Sequence, residues 1–203
     1  MAVVSTRKGR VDIENSGYFR LFAETPGDPT ALKLAEIFSK VQAAVICNGN
    51  LLDEHIIPNP KFNPHNAIKG GDGALPGHYY KVKVGNTVID YLMVTDTDVH
   101  IFEIKDGDNF DTKKSKGELD TLTKMQGHFQ GIHCEKGVHY HMVFWNTTDK
   151  NTVSFKAKVE QGVILTGREF CQLIQVDFDR MNEERRGVAA QNKEWVLAQF
   201  NSL

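Results

Sequence analysis

Between His78 and Lys105 the chain carries three strand-like runs joined by turns too short to hold anything else. HYYKVKV (78–84) ends at Gly85-Asn86, a two-residue hairpin signal. TVIDYLMV (87–94) is rich in β-branched and large apolar residues. Asp96-Thr97-Asp98 makes a second turn, and VHIFEIK (99–105) alternates cleanly. Val99, Ile101, Glu103 and Lys105 share one face of that strand; His100, Phe102 and Ile104 share the other. Such short connections join antiparallel neighbours.

Helices and further strands surround this unit. PTALKLAEIFSKVQAAVI reads as a helix, with Leu34, Ile37, Phe38, Val41 and Val45 at helical spacing, a start at Pro29 or Thr30, and an end at Asn48-Gly49-Asn50. Residues 50–78 are punctuated by Pro58, Pro60, Pro64, Gly70, Gly71, Gly73, Pro76 and Gly77, which reads as a long irregular segment facing substrate. DGDNFDTKKSKG reads as a polar loop, after which Leu119, Leu122, Met125 and Phe129 repeat as on a helix. HYHMVFWN (139–146) is a strand reached through that helix, so it should lie parallel to 99–105. VSFKAKVEQGVILTG reads as one or two strands, and REFCQLIQVDFDRMNEERR and AAQNKEWVLAQFNSL as closing helices. The expected fold class is α/β, a mixed sheet flanked by helices. At 203 residues it is expected to form a single domain, with a core over 29–146 and C-terminal strands and helices over 150–203.

Composition excludes several classes. No run approaches the ~20 apolar residues of a membrane span, and MAVVSTRKGR has no apolar stretch of the kind a signal peptide needs. Three widely spaced cysteines, Cys47, Cys134 and Cys171, do not make a disulfide framework, so a reducing, cytoplasmic setting is expected. The formal net charge of −2 is not that of a generally basic nucleic-acid binder. Local basic runs exist at Arg7, Lys8, Arg10, at Lys113, Lys114, Lys116, and at Arg180, Arg185, Arg186; the plain alternative for each is a solvated face.

The chemistry lies in IDYLMVTDTDVHIFEIK. Residues paired across the turn Thr95–Asp98 sum to 193, and so do Asp90 and Glu103. That register puts the two acids opposite each other, side chains ~5 Å apart on one face. Two carboxylates at that distance repel unless a cation lies between them, and a hard divalent ion takes oxygen ligands. Lys105, two residues on, sets an ammonium beside them. On a strand apolar on both faces, an acid pair and a lysine are costly unless they serve a function.

Asp90 with Glu103-Ile104-Lys105 resembles the PD-(D/E)xK phosphodiesterase superfamily, which includes restriction endonucleases. The order helix, three strands, helix, strand over 29–146 supports the resemblance. Ile89 stands where the family often has proline. The resemblance implies a restriction-endonuclease-like αβββαβ core, and Asp90 and Glu103 as ligands of Mg²⁺, with Mn²⁺ able to substitute. It implies that Lys105 aids the attacking water. It also implies an endonuclease that hydrolyses phosphodiester bonds in DNA, of restriction type, in which a two-fold homodimer would place one site on each strand. Helix glutamines reach the site in some members, which makes Gln126 a further catalytic candidate; its alternative is an interior glutamine bonded to backbone. Members often add an acid from the first helix. Glu36 lies there, opposite the apolar stripe, and Glu24 just before it; which of them joins is open. Lys113, Lys114 and Lys116 are candidate substrate contacts. An RNA endonuclease on the same core, or an inactive binding module with that fold, are the alternatives.

Other constellations are weaker. His128, His133, Cys134, His139 and His141 match no closed zinc spacing and read as partly exposed. A calcium loop counted from Asp106 has Asp111 and Gly117 where glycine and glutamate are required. Gly70-Gly71-Asp72-Gly73 is followed by no Gly-Lys-Ser/Thr, and no serine sits in a nucleophile elbow.

Overall fold

A computed structural model of the chain describes residues 3–48, 50–106, 112–157 and 160–203. The fold is mixed α/β. In chain order the elements are α1 (Gly17–Phe22), α2 (Pro29–Asn48), β1 (Ile68–Lys69), β2 (Gly77–Val84), β3 (Thr87–Val94), β4 (Asp98–Lys105), α3 (Thr112–Ile132), β5 (Gly137–Phe144), α4 (Lys150–Ala157), β6 (Ile164–Thr166), α5 (Gly167–Leu173) and α6 (Phe178–Phe200). The chain divides into two compact units, Met1–Leu51 with Asn182–Leu203, and Leu52–Met181. In the first, Phe19 of α1 packs on Ala31 and Ala35 of α2. No helix among the described residues is long and apolar enough to cross a membrane.

The second unit holds a six-stranded sheet in the order β1-β2-β3-β4-β5-β6. β2, β3 and β4 form the antiparallel meander that the short turns dictate, and β4–β5 and β5–β6 are parallel, as expected for 99–105 against 139–146. One side of the sheet is dry. Leu92, Val99, Ile101, Met142 and Ile164 pack with Leu122, Met125 and Phe129 of α3. At about 25 cal/mol per Å² of apolar area removed from water, this cluster supplies much of the driving force for the unit.

Three expectations are corrected. VSFKAKVEQGVILTG holds one strand, β6, but its first part is not a strand: residues 153–157 fall in α4, because Asp149 caps that helix, accepting from Asn151 N at 2.9 Å and from the Thr152 hydroxyl at 2.5 Å. REFCQLIQVDFDRMNEERR is two helices, broken where Gln175 takes φ +57°. The 50–78 segment is not a free irregular loop. It contains a π-helical turn over Leu52–Ile56, buries Leu52, Ile56, Ile57, Phe62 and Asn63, and pairs β1 with β2. Gly73 in it lies at φ +67°, and a Cβ there would come within 2.5 Å of Leu92 Cδ2. Only glycine lets this backbone approach the core so closely.

Candidate active site

β3 is the strand between two irregularities that coincide. The β2–β3 ladder runs Tyr80↔Tyr91 and Val82↔Ile89 but skips Lys81 and Asp90, which lie across from each other. Lys81 sits at φ +51°, a left-handed conformation rare for a side chain of this kind inside a strand. Strict alternation puts residues three apart on opposite faces. Yet Tyr79 and Val82, and likewise Ile89 and Leu92, join the same buried cluster. Both strands therefore shift by one position at Lys81 and Asp90, which turns these two side chains toward each other.

The register of 193 holds through Tyr91↔Phe102, Leu92↔Ile101, Met93↔His100 and Val94↔Val99. Asp90 and Glu103 lie one step beyond Tyr91↔Phe102. There the Asp90 side chain takes over the ladder: its Oδ2 accepts the Ile104 amide at 2.9 Å, while Oδ1 accepts from Lys81 Nζ at 3.0 Å. Lys81 also donates to Asp53 Oδ2, and Glu54 Oε1 lies 3.7 Å from it. On β4, Lys105 Nζ donates to Glu103 Oε1 at 2.6 Å and to Glu118 Oε1 of α3 at 2.7 Å.

Two lysines thus stand among five carboxylates, Asp53, Glu54, Asp90, Glu103 and Glu118. The electrostatic strain is visible. Burial, with the charge of Asp90 added, pushes the Glu103 carboxyl up to about 7, and burial raises Asp53 to about 6 against the pull of Lys81. Burial works against the Lys81 ammonium, but its bonds to Asp53 and Asp90 outweigh that and hold it above its ordinary range. Lys105 is raised in the same way by Glu103 and Glu118.

Carboxylate oxygens are the kind of donor a hard divalent cation takes. The excess charge here is negative, and two buried oxygens, Asp53 Oδ1 and Glu118 Oε2, have no hydrogen-bond partner among the described residues. Among the described residues no three His, Cys, Asp or Glu side chains surround one point as a formed metal centre does. The acids close instead on the two ammonium groups.

Asp90, Glu103 and Lys105 are thus brought together. Gln126 is placed elsewhere: its Nε2 donates to the Val138 carbonyl at 2.7 Å. Val138 pairs with Val99, four residues from Glu103 along β4, or about 13 Å. It is a half-buried glutamine bonded to backbone. Lys113, Lys114 and Lys116 fall in the first turns of α3 rather than in a polar loop, and their side chains lie outside the described residues. Glu24 and Glu36 belong to the other unit; Glu24 is exposed, and Glu36 is exposed and paired with Lys40 at 3.3 Å. Asp111 of the rejected calcium loop is also outside the described residues.

Asp53, Lys81 and Glu118 were not singled out from sequence. Glu118 carried a usable signal, since it lies on the 118, 122, 125, 129 stripe of α3 with Leu122, Met125 and Phe129. Asp53 also carried one, as an acid inside the apolar run LLDEHII. Among the histidines, His133 is buried rather than partly exposed, and its Nε2 lies 2.7 Å from Gly73 O.

The chain is 28% identical to the type II restriction enzyme HhaII of Haemophilus parahaemolyticus over 226 aligned positions, covering all of this chain and 95% of that protein. No family model matches the chain. No solved structure matches it significantly.

Proposed function

We propose that this chain is a divalent-metal-dependent endonuclease that hydrolyses phosphodiester bonds in DNA, of the restriction type, in the manner of PD-(D/E)xK enzymes. The observation that carries the reading is the placement of Asp90. Its carboxylate is docked on the Ile104 amide, between Glu103 and Lys105 of the same strand. The full-length similarity to a type II restriction enzyme supports the same substrate class.

Asp90 and Glu103 would hold Mg²⁺, or Mn²⁺ in its place, with the unpartnered oxygens of Asp53 and Glu118 as further donors. Held by these carboxylates, such an ion would supply Lewis-acid polarisation of the scissile phosphate and activation of a water. Ile104 N–H fixes one Asp90 oxygen, so the carboxylate keeps its orientation with nothing bound. Glu103 and Glu118 aim the Lys105 ammonium, which stabilises charge developing on the phosphate or orients the attacking water. Lys113, Lys114 and Lys116 would add sequence-independent phosphate contacts. A homodimer would bring one such site to each strand of a duplex.

The test is to incubate the protein with plasmid DNA and, separately, with single-stranded RNA, each with Mg²⁺, Mn²⁺ or EDTA. DNA cleaved with either ion and untouched in EDTA is expected. Cleavage of RNA alone would reassign the substrate, and cleavage of neither would leave a binding module.

A further inference from the structure

Lys81 is the feature the proposed chemistry does not use. In a regular β2 it would share a face with Lys83, which is exposed. Its positive φ and the skipped ladder position instead deliver its ammonium to Asp53 and Asp90. A strained backbone of this kind persists only where the surroundings hold it, and such residues gather at functional sites. Asp53, only 4% exposed, points one oxygen at Lys81 and leaves the other without a partner. A half-satisfied buried carboxylate is costly, and it marks a place where a second cationic partner gains.

We propose that Lys81 is a tethered cation that competes with the divalent ion for the oxygens of Asp53 and Asp90. The inference rests on the reading of Asp90 as a metal ligand. Without the ion, the ammonium keeps the two acids from repelling each other. When the ion binds, Lys81 gives up those oxygens and moves to Glu54, whose Oε1 is already 3.7 Å away and whose side chain is 32% exposed. Metal binding is then an exchange of one cation for another. Affinity is set by the difference between the two, so the site stays stable when empty and fills only at adequate ion concentration.

The experiment is calorimetric titration of Mn²⁺ into the DNA-free protein, with folding of each variant checked by thermal melting. The set is the parent, Lys81→Asn, Lys81→Gln, Lys81→Arg, Glu54→Gln, the Lys81→Asn/Glu54→Gln double variant and Asp90→Asn. Asparagine is chosen because it tolerates the left-handed backbone and carries no charge. Lys81→Asn, or Lys81→Gln if the first does not fold, should bind Mn²⁺ at least tenfold more tightly than the parent. Lys81→Arg should stay within about threefold of it. Glu54→Gln should weaken binding in the parent and have no effect alongside Lys81→Asn, because Glu54 then has no lysine to receive. Unchanged or weaker binding by both neutral variants, when folded, overturns the role of Lys81. Parent-like binding by Asp90→Asn overturns the metal reading of Asp90 itself, whatever the Lys81 variants do.

Discussion

The Asp90 carboxylate accepts the Ile104 amide hydrogen at 2.9 Å, so a side chain takes the place of a strand carbonyl where the β3–β4 ladder ends. The bond ties chemistry to architecture: the group proposed to hold the metal also closes the sheet. Asp90→Asn preserves an oxygen acceptor and removes the charge; Asp90→Ala removes both. Both should lose cleavage by at least a hundredfold. Only the alanine variant should also lose about 1–3 kcal/mol of stability, because it strands the Ile104 N–H. Chemical denaturation of both variants checks the split.

Removing Lys105 should separate activity from folding in a different way. Its ammonium holds Glu103 and Glu118 at 2.6 and 2.7 Å. Lys105→Gln leaves those carboxylates uncompensated, so turnover should fall roughly 10²–10³-fold, the range seen when one transition-state donor is lost. Single-turnover kinetics at saturating Mg²⁺ measures it. A fall in DNA affinity alone would assign Lys105 to binding.

Two histidines outside the acid cluster give a pH signature. His78 and His141 are held near 4, against an ordinary 6.5, mainly by burial and further by neighbouring histidines. Between those values the unfolded chain binds protons that the native state refuses, so their contribution to stability is lost as pH falls from 6.5 to 4. Asp53 and Glu103, raised to about 6 and 7, act in the opposite sense, losing stability as pH rises. They act equally in parent and variant, so the comparison cancels them. His141→Phe, which can stack on Phe102 as His141 does at 5.2 Å, should flatten the acid limb by about 1–2 kcal/mol relative to the parent. Thermal melts from pH 4 to 7 test it.

Gly73→Ala should destabilise the second unit by about 1–3 kcal/mol, since the new Cβ meets Leu92 and Phe129 at a positive φ. Urea unfolding reads this directly. A neutral result would mean that the 70–78 backbone moves aside without cost.

Alanine at Lys113, Lys114 or Lys116 should weaken binding about equally across DNA sequences and lower the salt dependence of affinity by about one unit of slope each. Fluorescence anisotropy at several salt concentrations checks it; an unchanged slope would mean that these side chains touch no phosphate.

Much of this architecture was legible because it is local. The turns Gly85-Asn86 and Thr95–Asp98 fix the antiparallel meander, and the apolar stripe of α3 fixes the crossover that makes β5 parallel to β4. The register that brings Asp90 to Glu103 followed from counting residues about one turn. Lys81 was not legible, because alternation assigns it to the exposed face with Lys83, and the shift that turns it inward is a property of two paired strands together. Asp53 was hidden for another reason: the prolines and glycines after it made the whole segment read as loop, although Leu52, Ile56 and Ile57 bury the turn that carries it. Gln126 shares the apolar side of its helix, but the sequence does not say at which end of β5 it arrives.

The most direct measurement is plasmid cleavage by the parent and by Asp90→Asn, compared across Mg²⁺ concentrations and in EDTA, with both proteins shown to be folded. Cleavage by the parent that rises with Mg²⁺, disappears in EDTA and is absent from Asp90→Asn is the predicted result. Cleavage that persists in EDTA, or in Asp90→Asn at the parent's rate, would contradict an active site built on Asp90.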